Sequence, residues 1–305
     1  MDRVIVYAPG SASNLGPGFD CLGLALTGRG DTIAAVKTAE SGVRIARVSD
    51  PRIPTDPLRN TAGIAAAAVL QHSGERFGLE LTIEKGLPLS GGLGGSAASA
   101  VGGAVAAQAL MRRRLSRDQL FAAALSAEAV VAGRHADNVA PSLLGGMVLI
   151  AGNEPLRITS LKVHHSFSFV LVTPDYGVET AKARALLPKQ VSREDAIAQA
   201  AHLGALVLGF ERGDAELIRD AMVDRIAEPA RAQLFPGYAE ARAAALATGA
   251  AGVAVSGAGP TALAVVAGGN AEPVAKAMVA AYAAAGFGAV SHRSRVDRAG
   301  ARIVG

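Results

Sequence analysis

Apolar and polar positions alternate along "RVIVYAP" near the N-terminus and along "GLELTIEK" up to Lys85, and both patterns predict strands. "DTIAAVKT" reads as another strand. Asn60 to Gln71, "NTAGIAAAAVLQ", runs with helical periodicity, and Ser96 to Met111 suits a buried helix. Ser116 is followed three positions later by Gln119, a capping box that starts a helix there. On that helix Phe121, Ala124, Leu125 and Val131 share one face, and Glu128 falls on the same apolar stripe. "LLGGMVLIAG" then predicts a strand.

A second unit begins near residue 156, giving an expected division into 1–155 and 156–305. "SFSFVLVTP" is strand-like, and "ETAKARALLP" is a short helix stopped by Pro188. Helices are expected over Ser192–Arg212, Asp214–Ile226 and Ala271–Ala285. "GVAVSGAGPTALAVVAG" reads as two strands hinged on "SGAGP". That order suits an α+β sandwich of the split βαβ type.

Two uncharged stretches, Gly86–Met111 and Ala243–Ala271, are long enough to span a membrane. Their Gly/Ala/Ser content and strand-to-loop transitions make them buried core instead. The 305 residues are half apolar, which is a globular composition. Net charge is +4, and the one compact basic run, Arg112–Arg114, suits a solvated helix end. No aromatics interleave with it, so nucleic-acid binding is disfavoured. Cys21 is the only cysteine, which excludes an internal disulfide and a thiolate zinc cluster. The N-terminus lacks a signal-peptide layout, and a cytoplasmic location is expected.

The segment of chemical interest is "LPLSGGLGGSAAS", Leu87 to Ser99. A Walker A loop would end in Lys followed by Ser or Thr, and none is present. A dinucleotide fingerprint, Gly92-x-Gly94-x-x-Ala97, lies too far behind its strand and has no acid at the end of the next strand. Glycines that turn backbone N–H groups inward, followed by a helix N-terminus near Ser96, make an anion nest suited to a triphosphate. A tight strand-to-helix turn whose glycines serve packing alone is the other reading.

"PLSGGLGGSAAS" resembles the phosphate loop of the GHMP small-molecule kinase family. "PGSASNLGPGFDCLGLAL" (Pro9–Leu26) resembles its N-terminal signature, and "SGAGPTALAV" (Ser256–Val265) its third motif. The order of motifs is kept along almost the whole chain. "NLGPGFD", "RHADNVAP", "ETAKARALLP" and "IAEPARAQLFPG" are similar to the branch that phosphorylates L-homoserine on the route to threonine. The resemblance implies a two-domain α+β fold: an N-terminal ribosomal-protein-S5-domain-2-like α/β domain and a C-terminal ferredoxin-like α+β sandwich. It also implies ATP and Mg²⁺ as cofactors, a small-molecule acceptor and a homodimer, with neither membrane nor nucleic acid as partner. A mevalonate-type kinase and a non-catalytic metabolite-binding protein on the same scaffold are the alternatives.

The resemblance assigns nucleotide binding to Pro88, Leu89, Ser90, Gly91, Gly92, Leu93, Gly94, Gly95, Ser96, Ala97 and Ala98, with Asn60 bordering the adenine pocket. Gly95 replaces the first serine of the family's Ser-Ser pair. Glu128, read alone, is a stem over the core with its carboxylate reaching solvent; the resemblance makes it a Mg²⁺ ligand with Ser96. Arg184 and Arg231 are implied to bind the acceptor's carboxylate, because a guanidinium fork matches it, although short-helix arginines usually serve surface salt bridges. Asp20, assisted by Asn14, is implied to hold the ammonium, although an Asp in a glycine-rich loop is ordinarily a turn former. His135, Asp137 and Asn138, otherwise a turn and a helix C-cap, are implied at the acceptor pocket, Asn138 beside the reacting hydroxyl. Thr180 is implied near the transferred phosphate, and an N-cap role explains it equally well. "SGAGP" is expected to support the loops. His72, His164, His165 and His202 receive no role, and no general base is evident.

Overall fold

The computed structural model describes residues 2–131, 133–153 and 156–305. The alternating N-terminus forms β1 (Arg3–Asn14), which turns into the long β2 (Gly18–Thr38), then β3 (Gly42–Val48). Helix α1 (Thr61–Ser73) precedes β4 (Gly78–Glu84), and α2 (Gly95–Ala109), α3 (Arg117–Val131) and α4 (Ala136–Leu144) follow. A hairpin of β5 (Met147–Asn153) and β6 (Leu156–Leu161) closes this half.

With β11 (Arg302–Ile303) these strands make one seven-stranded sheet, β11-β1-β2-β4-β3, with β5 and β6 branching from β2. The branching follows from the length of β2: Thr32–Thr38 pairs with β4, and Leu22–Leu24 pairs with β5. The segment around Asp20 is therefore part of a strand and not a glycine-rich loop, and Asp20 itself sits at φ 57°. The expected division near residue 155 falls inside the β5–β6 hairpin, so Leu156–Leu161 belongs to the first sheet. Strand β11 (Arg302–Ile303), at the far end of the chain, also returns to pair with β1.

The second half contains β7 (Phe167–Pro174), α5 (Thr180–Ala185), α6 (Arg193–Arg212), α7 (Ala215–Ala221), α8 (Ala227–Arg231), α9 (Tyr238–Ala247), β8 (Gly252–Val255), β9 (Ala262–Ala267), α10 (Glu272–Ala284) and β10 (Ala289–Ser294). Its four strands form an antiparallel sheet in the order β10-β7-β9-β8, with α9 and α10 packed on it. This is the expected split βαβ sandwich. Helix α7 ends five residues before the predicted Ile226, because Asp224 instead caps α8 by accepting from the Ile226, Ala227 and Glu228 amides.

Local signals placed the helix ends well. Ser116 Oγ accepts from the Gln119 amide, and Gln119 Oε1 accepts from the Ser116 amide, closing the capping box. Of the face predicted on α3, Phe121, Ala124, Leu125 and Glu128 are buried, and the Val131 side chain lies outside the described residues. The uncharged stretches are core: α2 buries Ala97, Ala98, Val101, Ala104 and Ala107, and β8 and β9 are buried almost throughout. No helix among the described residues is long and apolar enough to cross a membrane.

Small side chains let α2 sit tightly on α1. A Cβ at Gly103 would run into the backbone of Ala62, which cannot give way cheaply. Gly204, on the exposed side of α6, has open space around it. Gly103→Ala is expected to lower unfolding free energy by about 1–3 kcal/mol, despite a gain in helix propensity. Gly204→Ala should raise it by up to about 1 kcal/mol. Urea midpoints of the two variants check this; shifts in the same direction contradict the packing account.

Candidate active site

A cleft of about 550 Å³ opens between the two halves. Its wall carries Asn14, Asp20, Asn60, Pro88 to Ser96, Glu128, His135, Asp137, Asn138, Thr180, Arg184 and Arg231. Thus residues spread over more than two hundred positions meet around one volume of the size that small-molecule sites usually have. A larger groove of about 1070 Å³, between α3 and β6, holds none of them.

The glycine segment ends at the N-terminus of α2. Gly94 is its cap residue in the left-handed region, and no side chain caps the helix. Amides of Gly95, Ser96 and Ala97 therefore have no acceptor within the helix, and the positive end of the dipole faces the cleft. The Ala98 amide is already spent on the Gly94 carbonyl at 2.9 Å. Ala97 and Ala98 do not line the cleft; their methyls are fully buried, because α2 turns that side into the core.

The packing reading of the glycines holds at two positions. Gly92 (φ 74°) lies against the Ser256 and Gly259 backbone, and Gly94 (φ 64°) against Ser11 Oγ and Asn138. A side chain at either would collide with the protein itself. Gly95 is different: the nearest atom to an added Cβ is 3.7 Å away, so this site has room for the serine that the family pattern carries. The "SGAGP" turn holds the loop from below. Ser256 Oγ donates to the Gly92 carbonyl at 2.6 Å, Gly257 N donates to Ser13 O at 3.1 Å, and Asn14 Nδ2 donates to Gly257 O at 2.8 Å.

Glu128 reaches the loop from α3 and is 2% exposed, so its carboxylate does not extend to solvent. One oxygen accepts from Ser96 Oγ at 2.7 Å, and the other, Oε2, is buried without a partner. Burial pushes its carboxyl up to about 7, against the opposing pull of the Ser96 hydrogen bond. Sequence reading missed Lys85. Its Nζ lies under the loop, pairs with buried Asp31, and donates to the Gly95 carbonyl and Ser99 Oγ, both at 2.9 Å. Only its position at the end of β4, just before the glycines, could have pointed to it.

The opposite end of the cleft is charged. Arg184 forms a two-pronged pair with Asp20, both bonds 2.9 Å, and its Nη2 lies 3.5 Å from His135 Nδ1. Asn14 serves this end indirectly: its Oδ1 accepts from the Asp20 amide at 3.1 Å. Arg231 is almost fully buried, with Nε donating to Ala183 O. Asp137 is buried too, and burial, reinforced by the Asp20 charge, raises its carboxyl. Contrary to the C-cap reading, "RHADN" starts a helix: His135 is the cap residue of α4, and Asp137 is in its first turn. Asn138 accepts from Ser11 Oγ at 3.0 Å and donates to Ser13 Oγ at 3.1 Å, which fixes its amide. Thr180 is not an N-cap, since Glu179 holds that position without a side-chain bond. Asn60 caps α1 through its Oδ1 and donates to Pro54 O, so its polar atoms are taken by the fold.

Residues 60–146 match the GHMP kinases N terminal domain, and residues 206–284 match the GHMP kinases C terminal domain. A homoserine kinase of Arabidopsis thaliana is 41% identical over 99% of this chain and 84% of its own length. One of Halorubrum lacusprofundi is 39% identical over 97% of both chains. Among solved structures, homoserine kinase from Cytophaga hutchinsonii superposes with a TM-score of 0.96 at 36% identity, covering 100% of this chain and 98% of that one. L. major mevalonate kinase in complex with R-mevalonate shares the fold, with a TM-score of 0.70 at 16% identity and 95% of each chain covered.

Glu128 allows a check that needs no ligand. Its carboxyl keeps its proton to higher pH in the folded chain, so folding is increasingly penalised as pH rises from about 4.5 through about 7. Glu128→Gln removes that penalty. The variant should match the parent near pH 4 and exceed its stability at pH 8 by up to about 3 kcal/mol. Denaturant titrations at the two pH values measure this, and a variant less stable at pH 8 speaks against a strained carboxylate.

Proposed function

Because this chain belongs to the GHMP kinase family, and within it to the homoserine kinases, we infer that it transfers the γ-phosphoryl group of ATP to the hydroxyl of L-homoserine. The products are ADP and O-phospho-L-homoserine. The observation that carries this reading is the single cleft with an anion-binding helix end on one side and a zwitterion-sized set of charges on the other.

The roles of individual residues follow from what each can do chemically. The amides at the start of α2 receive the triphosphate, and Pro88 to Ser90 shape the wall beside it. Two oxygen donors, the orphaned Glu128 Oε2 and the Ser96 hydroxyl, suit a hard cation, so these residues would hold Mg²⁺. When bound, the ion supplies charge neutralisation for the phosphates. Thr180, freed from any capping duty, donates toward the transferred group.

At the acceptor end, homoserine brings a carboxylate for Arg184 and Arg231 and an ammonium for Asp20 and Asp137, with His135 at the rim. The Arg184–Asp20 pair opens on binding, and each half exchanges its partner for the matching half of the substrate. An ion pair as exposed as this one contributes only about 0–1 kcal/mol, so the exchange is inexpensive. Asn138, its amide fixed by Ser11 and Ser13, orients the hydroxyl. The hydroxyl oxygen bonds to the γ-phosphorus as the bond to the β–γ bridging oxygen breaks, ADP leaves, and the hydroxyl proton passes to water. In a loose transition state that proton stays on the nucleophile until late, so positioning replaces a strong base. A homodimeric, cytoplasmic enzyme belongs to the same reading and rests on the resemblance and the single cysteine.

ADP release from MgATP should depend strictly on homoserine, with mevalonate inert; absence of homoserine-dependent turnover rejects the reading. Arg231→Ala should raise the homoserine KM by about 10- to 100-fold, the worth of a charge-assisted hydrogen bond. Glu128→Ala should chiefly lower kcat. Steady-state kinetics with each substrate varied separates the two effects, and an unchanged homoserine KM removes Arg231 from the acceptor site.

A further inference from the structure

Arg231 poses a problem that the family resemblance does not address. It is 5% exposed, yet among the described residues no carboxylate lies within ion-pair distance of it. Its one hydrogen bond to protein is from Nε to the Ala183 carbonyl. Burial and the nearby Arg184 charge both disfavour its protonated form. Something must hold a buried cation beside a second cation while leaving its outer N–H groups open to the cleft.

The neighbour that does so is Phe19. The Arg231 guanidinium carbon lies 4.8 Å from the centre of the Phe19 ring, and that of Arg184 lies 5.8 Å from it. Both are within the distance at which the negative face of an aromatic ring attracts a cation. Phe19 lines the cleft, and its backbone is held on either side. Gly18 is pressed against Asn14 and Leu22, and the Asp20 amide is bonded to Asn14 Oδ1.

An acidic residue beside Arg231 would neutralise it, but its oxygens would occupy the N–H groups that an incoming carboxylate needs, as those of Asp20 occupy Arg184. A π face attracts the positive charge without accepting those hydrogen bonds. We propose that Phe19 is a positioning residue that gathers the Arg231 and Arg184 guanidinium groups over its ring and keeps the outer N–H groups of Arg231 free for the acceptor's carboxylate, while Arg184 rests on Asp20. This rests on the homoserine reading above and identifies how its carboxylate subsite is kept ready.

Phe19→Leu keeps most of the apolar volume and removes the π face, while Phe19→Tyr keeps both. F19L should raise the homoserine KM by about 3- to 30-fold, with kcat and the ATP KM within about two-fold of the parent; F19Y should stay near parental values. A carboxylate-free acceptor analogue, 3-aminopropan-1-ol, supplies the contrast that packing alone would not produce. Scored as an inhibitor of homoserine turnover, its Ki should be the same in F19L and parent within about two-fold. If F19L does not fold, F19M carries the same comparison. The proposal is overturned if the leucine variant has a parental homoserine KM, or if the analogue weakens as much as homoserine. Failure of the parent to turn over homoserine rejects the functional reading instead, so the two failures are distinct.

Discussion

The site depends on a contact between two stretches of main chain. Gly92 lies so close to the Ser256–Gly259 turn that no side chain fits between them, and Ser256 Oγ fastens the Gly92 carbonyl. That clasp ties the phosphate-loop half of the chain to the four-stranded half. It also sets the direction in which the loop enters α2, and therefore where the unbonded amides of Gly95 and Ser96 point. Asn14 extends the clasp: one side-chain bond reaches Gly257, and the other sets Asp20. Gly92 is thus a condition for the two halves to close on one another, and Gly94 for the loop to lie against Ser11 and Asn138.

Around this clasp the protein buries charges that would be unfavourable in an ordinary core. Glu128 holds an oxygen without a partner, Asp137 is enclosed next to the Asp20 charge, and Arg231 has only an aromatic ring beneath its cation. Each costs stability in the empty protein, a cost that a ligand of complementary charge would offset. The Lys85–Asp31–Ser99 cluster is the exception. It is internally satisfied and braces the Gly95 carbonyl, which holds the base of the loop in place.

How much of this was legible depended on sequence distance. The capping box of α3, the strand before Lys85 and the split βαβ order of the second half were readable because hydrogen bonding and periodicity act within a few residues. Strand β3, helix α9 and the full length of β2 were not read. Whether "GFDCLGLAL" is strand or loop depends on pairing with β1 and β5, which lie outside any local window. The same limit hid that "RHADN" starts α4, and it put the division at 155, inside a hairpin.

The order of residues along the chain was enough to place a glycine turn leading into a helix start at Leu87–Ser99, a carboxylate on the buried face of α3, and the family whose motifs these are. It could not say that Arg184 would meet Asp20 across 164 positions, that Asn60 would spend its polar atoms on capping, or that a phenyl ring would lie beneath two arginines. Helix starts and amphipathic faces are written in neighbouring residues. Ion pairs, burial and the shifted acidity of Glu128 depend on which distant segments exclude water from one another, and that is fixed when the sheets and helices pack.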